Sequence, residues 1–214
     1  MKHIDFYLDF LSPYAYLAFE ELPQALQGLS YTVRYKPVLF GAMLKQLGQM
    51  GPAEIPGKRE WTYRQILWLA HSRGVPLQMP ATHPFNPLGL LRLAVASDAQ
   101  GLPNRYVCET LFRHVWVGGA DAADPQRTAD LAGQLRPPRA PDDATVKEQL
   151  KAHTEEALAA GAFGVPALVV DGRVFWGQDS LPMLRAYLQG DAWFAQDDWD
   201  RVASLPSGVQ RNRG

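Results

Sequence analysis

The sequence has almost no cysteine. Cys108 is the only one in 214 residues, so the chain has neither an internal disulfide nor a cysteine-only zinc site. It falls in the apolar pattern of a predicted helix, where a buried structural thiol is the usual role. The five histidines show no spacing typical of metal ligands, and the sequence therefore predicts no metal site.

An excess of charge and long apolar runs are also lacking. The 21 basic and 22 acidic residues give a formal net charge of −1, which argues against nucleic acid as a partner. No apolar run approaches the roughly 18 residues that a membrane helix needs. Asp5 and Asp9 interrupt the apolar start of the chain that a secretion signal would require. We therefore expect a cytoplasmic protein that binds neither nucleic acid nor membranes.

Strand signals occur only near the two ends of the chain. Residues 4–10 and 31–38 have the apolar and β-branched composition of strands, and residues 13–27 between them have a helical pattern. Short connections make this a βαβ unit with parallel strands. Two further strands, 167–170 and 174–176, flank an Asp-Gly turn signal and predict a hairpin.

The middle of the chain is predicted to be helical. Apolar periodicity and the positions of glycine and proline give helices at 40–47, 58–73, 88–100, 105–116, 124–135 and 143–161, with a last one at 181–188. Residues 1–39 and 162–190, with the helix 143–161, then form an α/β thioredoxin-like domain. Residues 40–142 form an inserted helical domain, and 191–214 a C-terminal tail.

The first strand and the first helix meet at a Ser-Pro turn. Serine is a favoured helix cap and proline is well suited to the first helical position, so Ser12 and Pro13 mark the start of the helix. The free amides and the dipole at a helix N-terminus favour negative charge. Ser12 is therefore either a helix cap alone or a cap that also helps to hold an anion.

Three motifs in order carry a resemblance to a known family. They are residues 10–17 (Phe-Leu-Ser-Pro-Tyr-Ala-Tyr-Leu), Gly164-Val165-Pro166 and Trp176-Gly177-Gln178-Asp179. Together they resemble the 2-hydroxychromene-2-carboxylate isomerases, DsbA-like thioredoxin-fold proteins related to the kappa-class glutathione transferases. Serine and alanine stand where thioredoxin-fold oxidoreductases carry Cys-Pro-x-Cys, which argues against thiol–disulfide exchange.

The resemblance implies glutathione as cofactor and assigns its contacts. Ser12 would hydrogen-bond the sulfur and lower the pKa of the thiol. Val165 and Pro166, joined by a cis peptide, would leave the Val165 backbone free to pair with the cysteinyl unit. Gln178 and Asp179 would hold the γ-glutamyl end, with Asp179 on its ammonium. Two further residues occupy positions that bind glutathione in relatives: Gln49 and Lys58.

The resemblance also implies a reaction. Glutathione sulfur would add to a conjugated ring-opened substrate, a carbon–carbon bond would rotate, and elimination would release the isomer of 2-hydroxychromene-2-carboxylate or a related intermediate of aromatic breakdown. The small-molecule pocket is assigned to Tyr14, Asn86 and Arg92, and a homodimer is expected. Two alternatives stay open: a kappa-like glutathione S-transferase, and a non-catalytic module that binds thiols or peptides.

Overall fold

A four-stranded sheet forms the base of the structure, a computed structural model that describes residues 1–208. Its strands are β1 (Lys2–Leu8), β2 (Tyr31–Pro37), β3 (Ala167–Val170) and β4 (Arg173–Trp176). The order across the sheet is β2-β1-β3-β4. β1 pairs parallel with β2 and antiparallel with β3, and β3 pairs antiparallel with β4. The predicted βαβ unit and hairpin are confirmed.

The helices account for most of the remaining chain. They are α1 (Pro13–Ala25), α2 (Phe40–Gln46), α3 (Lys58–Arg73), α4 (Leu88–Ala96), α5 (Arg105–Trp116), α6 (Pro125–Leu135), α7 (Ala144–Ala159), α8 (Leu181–Leu188) and α9 (Asp198–Arg201). Within the described residues, the segment between β2 and β3 contains no strand. A thioredoxin-like α/β fold with a helical insertion, as the sequence predicts, is the observed architecture.

Several element ends lie one to four residues from their predicted positions, and two of them have a visible cause. β1 ends at Leu8 and not at residue 10, because the Asp9 carbonyl accepts the Ser12 N–H at 3.0 Å and turns the chain. α4 ends at Ala96 and not at residue 100. The Asp98 carboxylate there accepts the backbone N–H groups of Gln100 and Leu102, and this local turn competes with the helix.

One continuous core joins the α/β part to the inserted helices. Phe112 on α5 packs against Phe10, Phe19 and Tyr16, with ring centroids 4.9, 5.1 and 5.8 Å away. All four rings are fully buried, and aromatic contacts of this kind add to the stability gained from burial. The insertion is therefore held against α1, and its position relative to the α1 N-terminus is fixed.

Trp116 and Cys108, also on α5, belong to this core. The Trp116 indole N–H donates to the carbonyl oxygen of Phe10 at 3.0 Å, and the side chain is fully buried. Cys108 is fully buried, and its burial raises the pKa of the thiol. The predicted structural role of Cys108 matches this environment.

The chain after α8 docks on the outer strand of the sheet. Phe194 is buried and lies against Phe175 of β4 and Tyr187 of α8, with Trp199 beside it. The start of the predicted tail is thus a packed segment. The rest of that prediction, residues 209–214, lies outside the described residues. In the part of the chain that is described, no helix has the length and apolar character needed to cross a membrane.

Candidate active site

A cavity of about 730 Å³ opens where the α1 N-terminus meets the loop before β3 and the inserted helices α2 and α3. This is within the usual size range of small-molecule sites. The predicted site residues that line it are Ser12, Tyr14, Gln49, Val165, Pro166, Gln178 and Asp179. The fold thus brings residues that are far apart in the sequence to the wall of one cavity.

Ser12 caps α1 and faces this cavity. Its Oγ accepts the backbone N–H of Ala15 at 3.2 Å, so the predicted cap is confirmed. The same hydroxyl lies 3.4 Å from the carbonyl oxygen of Val165, a long contact. A serine hydroxyl has one proton, and a weak acceptor leaves that proton available to a stronger one. A ligand sulfur beside Ser12 is such an acceptor.

Asp9 supports the turn that presents Ser12. Its two carboxylate oxygens accept the backbone N–H groups of Leu11 and Phe40, at 3.0 and 3.1 Å. The side chain is fully buried, and desolvation raises the pKa of Asp9 to about 7 although both hydrogen bonds favour the charged form.

The raised pKa of Asp9 predicts a pH-dependent stability. The native carboxyl holds its proton more tightly than the unfolded one, whose pKa is near 3.8. The resulting contribution to the free energy of unfolding is complete below about pH 4 and is lost as the pH rises through 7. In urea unfolding, the stability of the wild type minus that of Asp9→Asn should fall over this interval. A constant difference from pH 4 to pH 8 would contradict the assignment.

An aromatic wall adjoins the loop before β3. The peptide between Val165 and Pro166 is cis, as predicted. The Phe163 and Trp176 rings pack in a tilted arrangement with centroids 4.8 Å apart, and both are partly exposed at the cavity. A Cβ at Gly164 would lie 2.8 Å from the Trp176 indole nitrogen. Glycine at 164 is therefore what allows the indole to lie against this loop.

Gln178 and Asp179 form one corner of the cavity. The turn before them is held by a 2.9 Å hydrogen bond from the Gly177 N–H to the Pro166 carbonyl. Gly177 has φ 90° and ψ 157°, a conformation almost restricted to glycine. A Cβ there would lie 2.4 Å from Asp179 Oδ1. The turn thus sets the position of the Asp179 carboxylate.

The structure places the other predicted residues away from this cavity. Lys58 is the exposed first residue of α3 and does not line the cavity. Asn86 lines a second cavity of about 500 Å³ between α4 and α6. Arg92, on α4, lines neither cavity, and its Nε atom is buried without a hydrogen-bond partner.

The sequence did not identify His83 as a site residue. It lies in the loop between α3 and α4 and lines the cavity. Its Nε2 lies 3.0 Å from the Leu11 carbonyl oxygen, and its Nδ1 lies 2.8 Å from the Tyr63 hydroxyl. A carbonyl only accepts, so Nε2 carries the proton. The Tyr63 hydroxyl also lies 3.0 Å from the His83 carbonyl oxygen, so its one proton has two acceptors within reach when the ring is neutral. Burial lowers the pKa of His83, which favours the neutral ring. The histidine thereby ties the insertion to the Leu11–Ser12 turn.

A row of residues on α3 was also missed. Gln65, Leu69 and Arg73 recur at four-residue spacing and line the cavity from one helix face. Gln65 accepts a 2.6 Å hydrogen bond from the Tyr14 hydroxyl, and burial raises the pKa of Tyr14. The spacing was visible in the sequence, but nothing in it indicated which face of α3 would meet α1.

The site contains no metal-binding arrangement: among the described residues, no group of at least three His, Cys, Asp or Glu side chains is placed to hold a metal ion. Its polar groups are instead a hydroxyl at a helix N-terminus, amide side chains and a few charged side chains, above apolar and aromatic walls. Such a lining suits a small polar ligand with an apolar portion.

Comparison with known proteins agrees with this architecture. A 2-hydroxychromene-2-carboxylate isomerase of Sphingobium xenophagum is 28% identical over 198 residues, which cover 87% of this chain and 98% of the relative. The human glutathione S-transferase kappa 1 is also 28% identical, over 90% of this chain and 92% of its own. A solved 2-hydroxychromene-2-carboxylate isomerase structure superposes with a TM-score of 0.75 at 22% identity, over 93% and 98% of the two chains.

The family model described as a DSBA-like thioredoxin domain matches residues 3–189. This span runs from β1 through the helical insertion to the end of α8, and it includes every residue of the cavity. The protein belongs to the family of DsbA-like thioredoxin domains.

Proposed function

We propose that the protein is a cytoplasmic, glutathione-dependent isomerase that acts on 2-hydroxychromene-2-carboxylate or a related intermediate of aromatic degradation. The observation that carries this proposal is the position of Ser12. Its hydroxyl lies at the N-terminus of α1, in the cavity wall, and one long contact to Val165 is the only demand on its proton among the described residues. Serine at this point, with Ala15 in place of a second cysteine, favours binding of an external thiol.

The residues present fit glutathione. The cavity volume of about 730 Å³ exceeds what a tripeptide needs, which leaves room for a second small molecule. Ser12 suits the sulfur, the Val165 backbone suits the cysteinyl unit, and the Asp179 carboxylate suits an ammonium group. Gln49 and Gln178 add amide groups to the same wall. When bound, glutathione would supply the thiolate that adds to the conjugated substrate.

The chain's own contribution is to bind and to orient. The Ser12 hydroxyl and the positive end of the α1 dipole stabilise negative charge on a nearby sulfur, which lowers the pKa of that thiol. The paired Phe163 and Trp176 rings and the Tyr14 side chain offer apolar surface to an aromatic substrate.

Two companion proposals concern assembly and the remaining predicted residues. Trp61 and Trp68 on α3 are 63% and 64% exposed, and burying them against a second copy would favour the expected homodimer. Lys58, Asn86 and Arg92 lie outside the lining of the Ser12 cavity, so their proposed roles would be exerted from outside it. Light scattering measures the oligomeric state directly.

A kappa-like glutathione transferase is the second candidate function. One 2-hydroxychromene-2-carboxylate isomerase and one kappa-class glutathione transferase are each 28% identical to this chain. Both chemistries use an activated thiolate, and they differ in whether the adduct is released or eliminates. If the adduct eliminates glutathione inside the pocket, the substrate is isomerised. If the adduct leaves the pocket intact, glutathione has been transferred.

Assays of both reactions on the purified protein distinguish these functions. We expect the absorbance change of isomerisation to depend on added glutathione, with glutathione neither consumed nor found in a stable conjugate. Stoichiometric loss of glutathione to an electrophilic aromatic substrate would instead establish the transferase. Binding by calorimetry without either reaction, and with the ligand thiol pKa at its free value, would leave the non-catalytic module.

Gly177→Ala should weaken glutathione binding through Asp179. The new Cβ would meet Asp179 Oδ1, so the carboxylate must move, and the backbone strain costs about 1–3 kcal/mol of stability. Gly172→Ala is the matched control, since Gly172 also has a positive φ of 77° but open space around its Cβ. Both variants should have a lower Tm than the wild type, and only Gly177→Ala should raise the Kd for glutathione. Equal Kd values in the two variants would argue against a role for this corner.

A further inference from the structure

Arg73 introduces a fixed positive charge into the cavity wall. It is the last residue of α3, and its side chain is 33% exposed. The guanidinium Nη1 lies 2.6 Å from Glu21 Oε1, on the neighbouring helix α1. A guanidinium has five N–H donors, and this contact uses one nitrogen. The rest of the group is available to a ligand in the cavity that it lines.

Glu21 ties Arg73 to the Gln178–Asp179 corner. Its other carboxylate oxygen accepts a hydrogen bond from the Gln178 side-chain amide at 3.1 Å. One carboxylate thus binds Arg73 through Oε1 and Gln178 through Oε2. Asp179, the next residue along the chain, lines the same cavity as Arg73. Glu21 therefore links Arg73 to the residue that precedes Asp179.

The charged side chains that line the cavity have both signs. Among the described lining residues, Arg73 is the only arginine or lysine, and the acidic ones are Asp179 and Glu54. Asp179 is the acidic one that Glu21 connects to Arg73 through Gln178, whereas the Glu54 carboxylate accepts the Gly51 N–H at 2.6 Å in the loop before α3. The remaining pair, one guanidinium and one carboxylate, is complementary to a group that bears both an ammonium and a carboxylate.

We propose that Arg73 is a further ligand-binding residue of this site, whose guanidinium binds the carboxylate of an α-amino-acid head group while Asp179 binds the ammonium of the same group. In glutathione this head group is the free end of the γ-glutamyl unit, so the inference rests on the proposed function and extends it. Glu21 is a positioning residue, because it contacts Arg73 and Gln178 and not the ligand. The pair selects γ-glutamyl thiols over thiols without that end.

Two truncated peptides separate the two contacts. Glutaryl-cysteinylglycine keeps the terminal carboxylate and lacks the ammonium, whereas 4-aminobutyryl-cysteinylglycine keeps the ammonium and lacks the carboxylate. We expect Arg73→Gln to raise the calorimetric Kd for glutathione and for the glutaryl peptide about tenfold, and to leave that for the aminobutyryl peptide unchanged. Asp179→Asn should give the opposite pattern.

Arg64→Gln is the matched control, since Arg64 is an exposed arginine on the same helix that does not line the cavity. Its Kd values should equal those of the wild type for all three peptides. Arg73→Lys should recover only part of the affinity, because an ammonium lacks the planar donor pair of a guanidinium. Glu21→Gln should weaken glutathione binding less than Arg73→Gln and should leave the aminobutyryl peptide unaffected.

The outcomes separate this inference from the proposed function. If the wild type binds glutathione and Arg73→Gln matches Arg64→Gln for every peptide, the inference is wrong and the proposed function stands. An increase confined to the KM of the second substrate would likewise overturn it, because Arg73 would then serve that molecule. No glutathione binding by the wild type would instead remove the proposed function, and the inference with it.

Discussion

Ser12→Ala is expected to lower kcat/KM about 100-fold while raising the Kd for glutathione only a few-fold. Removing one hydrogen-bond donor that faces developing negative charge costs on this scale in enzymes that bind oxyanions. Contacts to the peptide backbone and to the γ-glutamyl end remain, so most of the binding energy remains too. Steady-state kinetics and calorimetry on the same preparation measure both quantities, and the ligand thiol pKa should rise toward its free value.

The substitution also removes a helix cap, and this effect needs its own control. Asn104 caps α5 in the same way, with its side-chain oxygen on the Val107 N–H at 3.0 Å, and it does not line the cavity. Both Ser12→Ala and Asn104→Ala should lose about 1 kcal/mol of stability. Only the first should lose turnover. Equal activities in the two variants would mean that Ser12 is a cap and nothing more.

Trp116→Ala is expected to destabilise the protein by about 3–5 kcal/mol, the range for deleting a large buried aromatic side chain. The indole is fully buried, and its loss opens a cavity at the centre of the core. It also leaves the Phe10 carbonyl without the donor that lies 3.0 Å away. A loss of this size consumes much of the stability of an ordinary domain. Urea unfolding followed by circular dichroism gives the free energy directly.

Two further variants show which part of that loss comes from packing. Tyr106→Ala removes a large aromatic side chain from an exposed site on α5 itself and should change stability by no more than about 0.5 kcal/mol. Trp116→Phe keeps most of the buried volume and removes the hydrogen bond, so it should fall between the two. A Trp116→Ala variant as stable as Tyr106→Ala would show that α5 does not hold the Phe10–Ser12 segment.

The fold was predictable because its signals are local. Ser12 and Pro13 mark the start of α1, and the Asp-Gly turn marks the hairpin, from residues that are neighbours in the sequence. The ends of β1 and α4 were not predictable, since local hydrogen bonds of Asp9 (backbone carbonyl and side chain) and of the Asp98 side chain turn the chain and compete with regular structure. The apolar periodicity of the sequence does not show where such hydrogen bonds end a strand or helix.

The site residues that could be predicted are those that belong to a short sequence motif. Ser12, Val165 and Asp179 lie in recognisable segments, and the structure brings them to one cavity. His83 and Arg73 come from the insertion, and their nearness to Ser12 depends on how α3 and the following loop dock on α1. That docking is decided by packing between distant segments, which single-residue patterns do not encode. Lys58 shows the converse, since a matching position in the sequence did not bring it to the cavity wall.

The burial of Cys108 has a consequence for how such a protein responds to oxidative stress. A thiol with no solvent access and a raised pKa forms neither a mixed disulfide nor a sulfenic acid readily. Under the proposed function, in which glutathione supplies the sulfur, oxidants would find no accessible cysteine on the polypeptide. Activity would then follow the supply of reduced glutathione, and an oxidised cofactor molecule would be replaced by a reduced one.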